Sequence, residues 1–264
     1  MTTDSAVVTY ALDRAVATLT LDSPANRNAL SARLVGELAE HLATAAADPG
    51  VRAVVLAHTG TTFCAGADLS EATAEDGPAR GTVRLLALLR QIVELPKPVV
   101  ARVDGHVRAG GLGLLGACDL AVAGPAATFA FTEARLGLAP AIISLTTLPR
   151  MPERAAARWF LTGARFDAAT AERIGLVTEA VTDVDAALGA LLDAFRAASP
   201  QGLAESKKLT TERVLRAFDE RGEAVQEQSA RLFGSEEARE GVLAWLEKRP
   251  PRWAADAKSG TDNR

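Results

Sequence analysis

The segment from Val103 to Ala123, V-D-G-H-V-R-A-G-G-L-G-L-L-G-A-C-D-L-A-V-A, constrains the fold more than any other stretch. An apolar lead-in is followed by a small-residue cluster, an apolar run of helical character, and a second apolar segment after Cys118-Asp119. It reads as strand, tight loop, buried helix, strand. Ala109-Gly110-Gly111 fall where the loop becomes the helix. Small residues let the backbone approach a ligand closely. The first N–H groups of a helix lack internal partners and lie at its positive end, so such a turn suits an anion or a developing oxyanion. Taken alone, the same turn fits close packing of helix on strand equally well.

A second turn narrows the choice. Phe63-Cys64-Ala65-Gly66-Ala67-Asp68-Leu69 follows the valine-rich run Val51–Ala57, again a small-residue turn after a buried type of strand. Two such turns supply two converging backbone donors, the construction of an oxyanion hole. On F-C-A-G-A-D-L and V-D-G-H-V-R-A-G-G at this spacing, the chain resembles the crotonase superfamily, the enoyl-CoA hydratase/isomerase family. The resemblance runs from about Val7 to Trp253. It implies an α/β fold, a crotonase-like spiral of ββα units with a C-terminal helical extension. The expected organisation is a spiral core over residues 1–200 and a helical oligomerisation region over 201–264. No repeat is strong enough in the sequence to show the spiral by itself.

Bulk properties exclude several classes. A chain of 264 residues with 48% hydrophobic and 23% charged residues has the composition of a globular protein with a sizeable core. A net charge of −4 argues against nucleic acid as a partner. Cys64 and Cys118 make no disulfide framework, and no Cys/His spacing suggests a metal. No leader pattern and no membrane-length apolar run is evident, so a reduced, cytoplasmic setting is expected, without membrane association.

Along the chain, Val7–Tyr10 and Ala15–Leu21 read as strands turning at Leu12-Asp13-Arg14. Ser31 caps a helix to Ala47 with Leu34, Val35, Leu38 and Leu42 on one face. Asp68 to Gly81 is acidic and reads as mobile. Val83 to Glu94 is helical, with Val83, Leu86, Leu89 and Val93 on one side. Strands are expected at Val99–Val103 and Ala127–Phe131, and everything after Pro140 reads as helix.

The resemblance assigns the oxyanion hole to the backbone N–H groups of Ala67 and Gly110, and the acid/base role to Glu133, in F-T-E-A-R-L-G-L. The structural alternative for Glu133 is a helix cap or a pair with Arg135. The family's other glutamate would stand at position 113, where this chain has Gly113. Two-carboxylate hydration is thereby placed in question, and double-bond isomerisation by one glutamate becomes a rival. Leu112-Gly113-Leu114 with Ala139-Pro140-Ala141-Ile142-Ile143-Ser144 looks like a bacterial branch assigned as enoyl-CoA or methylglutaconyl-CoA hydratases, and Ile142 and Ile143 would reshape the acyl pocket. Coenzyme A, carried as part of the substrate and with no separate cofactor, is expected against Ala25, Arg27, Ala65, Gly66, Asp68 and Leu69. Gly111 and Pro140 join the substrate-binding set. Asp68 also suits a turn-ordering role, Asp119 a structural one, and Arg108 either meets a polar acyl group or points to solvent. Lys207, Lys208 and Lys248 either reach phosphates or line solvated helix faces. The implied function is enoyl-CoA hydratase on an acyl-CoA thioester, with an isomerase or a CoA-thioester-binding protein without turnover as alternatives. The implied assembly is a homotrimer or dimer of trimers.

Overall fold

The computed structural model describes residues 6–71 and 77–254. A hairpin opens the chain, β1 (Val8–Asp13) and β2 (Val16–Leu21), paired antiparallel from Val8↔Leu21 to Asp13↔Val16. The turn is shorter than expected: Leu12 and Asp13 belong to β1, and only Arg14 and Ala15 turn, at φ 43° and 63°. Positive φ at both central residues is the geometry whose twist matches the strands of a two-residue hairpin. Helix α1 (Ala32–Ala47) follows, and Ser31 Oγ accepts from the Leu34 N–H at 3.2 Å. Its buried side chains are Leu34, Val35, Leu38, Leu42 and Ala45, the expected face.

Next come β3 (Ala53–His58), β4 (Thr62–Cys64), α2 (Gly77–Glu94), β5 (Val99–Val103), β6 (His106–Arg108), α3 (Gly110–Ala117), β7 (Leu120–Ala123) and β8 (Thr128–Ala130). Strands alternate between two sheets. β1-β2-β3-β5-β7 lie in one, closed at its far edge by β10 (Glu179–Ala180), and β4-β6-β8-β9 form the other, with β9 at Phe166–Asp167. From β3 onward each turn of chain lays one strand in each sheet and then a helix: β3-β4-α2, then β5-β6-α3. This is the ββα spiral that the resemblance implies. Neighbours along the spiral pair in parallel, as β3 with β5, β5 with β7, β4 with β6 and β6 with β8. Parallel strands covered on both faces need near-continuous apolar runs, and β3 supplies one in Ala53-Val54-Val55-Leu56-Ala57, buried throughout.

Three expectations are corrected. Helix α2 begins at Gly77, before Val83, and its inward residues are Leu88, Leu89, Ile92 and Val93, whereas Val83 is 50% exposed. The last turns of α2 therefore decide its orientation. The expected mobile segment over 68–81 falls in part on residues 72–76, outside the described residues; its later part is helix. Not everything after Pro140 is helical. The helices α4 (Ser144–Thr147), α5 (Glu153–Thr162), α6 (Ala168–Arg173), α7 (Val184–Ala197), α8 (Pro200–Phe233) and α9 (Glu236–Leu246) are interrupted by β9 and β10. Each of those strands is two residues long, too short to leave a periodic signature, and each exists only because an edge of a sheet is there to pair with.

Helix α8 lies along α2, burying Val214, Phe218 and Val225 in the main core. A buried ion pair fixes the same contact. Lys207 Nζ donates to Asp119 Oδ2 at 2.8 Å and to the carbonyls of Ile92 and Lys97 at 3.0 and 3.1 Å. All three ammonium protons are used. Lys207 thus neither reaches a phosphate nor lines a solvated face, and Asp119 has the structural role, also accepting from the Val99 N–H at 2.7 Å.

Candidate active site

The two small-residue turns touch. A methyl group on Gly66, which has φ 92°, would lie 2.8 Å from Ala109 Cβ and 3.2 Å from the Gly110 nitrogen. One on Gly110 would lie 3.7 Å from the Ala67 nitrogen. The first turn hangs from β4 and is tied to the early loop: Ala65 N–H donates to the Arg27 carbonyl at 3.1 Å, and Leu30 N–H to the Gly66 carbonyl at 2.8 Å. The second turn joins β6 to α3, and Ala109 N–H donates to the Ala130 carbonyl at 3.1 Å, which ties it to the strand leading to Glu133. Ala109 itself sits at φ 45°, ψ −118°, where glycine is the favoured residue. That conformation turns the chain so that the Gly110 N–H heads α3. Among the described residues neither the Ala67 nor the Gly110 N–H has an acceptor.

Glu133 opens a short 3-10 turn, Glu133–Leu136, directly after β8. It is 8% exposed, and its Oε2 is buried without a partner. Burial pushes its carboxyl up to about 7, with its own backbone N–H opposing weakly. Removing a carboxylate from water penalises the charged form, and no cation close by compensates. The pair with Arg135 does not form; Arg135 Nε donates to the Thr162 carbonyl at 3.0 Å instead. Helix α9 packs on this turn from outside, and a methyl on Gly241 would lie 2.5 Å from the Leu136 carbonyl carbon.

One cavity of about 760 Å³ joins these parts. Ala25, Arg27, Ala65, Ala67, Asp68, Leu69, Gly110, Glu133 and Pro140 all line it. Gly66 and Gly111 do not. Gly66 makes the contact between the turns, and Gly111 presses on Cys64, where a methyl group would lie 2.7 Å from the carbonyl oxygen. Asp68 orders its turn, accepting from Ser70 N–H at 3.0 Å and Oγ at 2.6 Å, and from Asn26 Nδ2 at 3.3 Å. Arg27 lies 5.5 Å from the Trp245 ring centroid, so the early loop and α9 meet over the cavity. Gly113 is packed shut: a methyl group there would lie 2.6 Å from Ile143 Cγ2 and 3.2 Å from Leu89 Cδ1. Where the family's first glutamate would project, the Ile143 side chain fills the space.

The sequence reading missed Asn28, Arg165 and Trp245. Asn28 is fully buried; its amide donates to the Thr62 and Thr59 carbonyls at 2.8 and 3.1 Å and its Oδ1 accepts from Ser23 N–H at 2.7 Å, which holds the early loop in shape. The signal available was an asparagine in a loop, a residue type that tolerates its observed φ of 53°. Arg165, immediately before β9, and Trp245, on α9, line the cavity from segments far along the chain from Glu133, and no local pattern marks them.

A ββα spiral whose turns present two free backbone donors and one buried carboxyl to a single cavity is a crotonase-fold protein. The sequence model of the enoyl-CoA hydratase/isomerase family matches residues 12–256, and the chain belongs to that family. A crystal structure of an enoyl-CoA hydratase from Mycobacterium avium superposes with a TM-score of 0.89 at 57% identity, covering 94% of this chain and 99% of that one. An enoyl-CoA hydratase of Mycobacterium tuberculosis is 34% identical over 254 residues, 89% of this chain and 91% of that protein. The mitochondrial methylglutaconyl-CoA hydratase of Rattus norvegicus is 31% identical over 256 residues, 92% of this chain and 81% of that protein. Among the described residues no helix is long and apolar enough to cross a membrane, and no group of three or more His, Cys, Asp or Glu is placed to hold a metal ion.

Proposed function

We propose that this protein is an enoyl-CoA hydratase that works with one carboxylate. The observation that carries the reading is the unpaired, buried Glu133 carboxyl in the wall of the cavity that also receives the free Ala67 and Gly110 N–H groups. The thioester oxygen of a trans-2-enoyl-CoA takes both donors. Glu133 accepts a proton from water as the water oxygen bonds to Cβ, and the electron pair moves through Cα onto the thioester oxygen. Glu133 then returns the proton to Cα, so H and OH are added across the double bond. Each oxyanion donor in such a site is worth roughly 3–4 kcal/mol, and a carboxyl titrating near neutrality is matched to proton transfer in both directions. The names of the two hydratase relatives support the reaction class. Coenzyme A would lie along Ala25, Arg27, Ala65, Asp68 and Leu69, with no other cofactor. A cytoplasmic setting fits the pair of free cysteines. A trimer or dimer of trimers would cover Leu161, Leu209 and Leu243, which are 79%, 78% and 44% exposed.

The second reading is a double-bond isomerase, favoured by Ile143 filling the space over Gly113. There Glu133 takes a proton from one carbon of the acyl chain and returns it to another, and no water is held. Turnover of trans-2-enoyl-CoA to a 3-hydroxyacyl product separates the two, and absence of either product from a panel of acyl-CoAs indicates a binding protein without turnover. Glu133→Gln should lower hydration by at least about a hundredfold. Near-normal turnover by the folded variant sinks the mechanism.

A further inference from the structure

The turn that carries Glu133 is gripped on two sides, and the two grips differ in kind. The end of α5 holds it through a side chain: Arg135 Nε donates to the Thr162 carbonyl at 3.0 Å. Helix α9 meets it backbone to backbone. A methyl group on Gly241 would lie 2.5 Å from both the carbonyl carbon and the carbonyl oxygen of Leu136. One on Gly137, which ends the turn at φ 71°, would lie 2.6 Å from the Glu237 carbonyl carbon and 2.8 Å from the Ala238 nitrogen. Positions 237 and 241 are four apart in sequence and so share one face of α9. The contact is passed straight to Glu133, whose carbonyl accepts from the Gly137 N–H and from the Leu138 N–H at 3.0 Å. No side chain separates the two backbones, so nothing flexible sets their spacing.

Glycine is among the poorest residues for a helix interior. An alanine would fit at Gly36 in α1 and at Gly189 in α7, where no atom lies within 4 Å of an added methyl. At Gly241 only a bare Cα fits. The far end of α9 is fastened as well. Glu240, 7% exposed, accepts from Arg249 Nη1 and Nη2 at 2.7 and 3.1 Å and from the Arg252 N–H at 2.9 Å, so the chain beyond α9 folds back onto the helix. We propose that Gly241 is a positioning residue for Glu133: by letting the backbone of α9 rest on the backbone of the Glu133 turn, it fixes where the carboxyl stands and closes the turn against water. This rests on the reading of Glu133 as the proton carrier, and it holds for hydration and for isomerisation alike. Burial is what raises the carboxyl's titration; neither Arg108, Arg135, Arg165 and Arg249 in the cavity wall nor Glu237 and Glu240 on α9 contribute to it.

The test is Gly241→Ala in the full-length protein, read by turnover and by the titration of Glu133 itself. Carbon atoms settle at about 3.5–4.0 Å, so the new methyl must push α9 and the turn apart by about 1 Å, a misplacement that can cost a site about a hundredfold. With crotonyl-CoA, kcat should fall at least about tenfold while KM changes less than about threefold. Carbon-13 NMR of the glutamate carboxyls, with Glu133 assigned through Glu133→Gln, should show its titration moving by at least about one pH unit toward the ordinary carboxylate range as water reaches it. Glu240→Ala frees the far end of α9 without adding an atom to the contact and should move both readings the same way; it decides the matter if Gly241→Ala does not fold. Gly189→Ala should change neither reading. A lower melting temperature with kcat and titration unchanged overturns the proposal and leaves Gly241 a packing residue. A raised KM with kcat unchanged overturns it in favour of α9 as a roof that touches substrate. Absence of turnover in the wild type sinks the reading of Glu133 as the proton carrier, and the titration then still decides whether α9 positions the carboxyl.

Discussion

Glu133→Gln tests the environment of the carboxyl through folding stability, independently of any substrate. The folded-state pKa of Glu133 is raised from the ordinary 4.5 to about 7. A raised carboxyl pKa means that the folded chain holds its proton where the unfolded chain has released it. The contribution to stability is complete below about 4.5 and is lost as pH rises through about 7. Above that, keeping an ionisable glutamate here costs about 3 kcal/mol, the free-energy equivalent of moving its titration from 4.5 to about 7. Glutamine has the same shape and no charge to desolvate. It should therefore be more stable than the wild type at high pH, by as much as about 3 kcal/mol, less what its unpaired amide takes back. Between about pH 5 and about pH 8.5 the advantage should grow by about 2.5 kcal/mol. Urea unfolding at both pH values, followed by circular dichroism, measures it. An advantage that stays constant with pH would refute the reasoning, because the carboxyl would then be solvated or paired. In the same range kcat/KM of the wild type should rise with pH and level off above about 7, since the carboxylate is the form that accepts the proton.

Gly113→Ala should destabilise by about 1–3 kcal/mol, the usual penalty of overpacking, because its methyl meets Ile143 Cγ2 at 2.6 Å; thermal melts should show Ile143→Val recovering part of it. Gly113→Glu, which would restore the family's second carboxylate, meets the same obstruction and should gain no hydration activity unless Ile143 is shortened. Lys207→Met should cost about 3–5 kcal/mol by leaving Asp119 buried and unpaired, and Lys207→Met with Asp119→Asn should recover much of that in denaturant titrations. Ala109→Gly should raise stability by about 1 kcal/mol, because φ 45° with ψ −118° strains a residue carrying a Cβ; an unchanged midpoint would mean that the turn is unstrained.

Local chemistry wrote part of this protein directly into its sequence. Ser31 and the Leu34–Leu42 stripe define α1, and the valine-rich β3 and β5 read as buried strands, because capping and periodicity act over a few residues. The two small-residue turns were legible for the same reason, and their residues pointed to backbone donors before any neighbour was known. Most of the expected lining residues share one cavity, and Glu133 is buried in its wall. Folding alone decided the remainder. β9 and β10 exist only as partners of strands far along the chain. Lys207, read as a cation for phosphate or solvent, became a buried counter-ion because α8 lies across α2 and meets Asp119. Whether Gly113 left room for water depended on Ile143, thirty positions away. Turn chemistry and periodicity are properties of neighbours in sequence; burial, counter-charge and free volume are properties of neighbours in space, and only the packed chain assigns them.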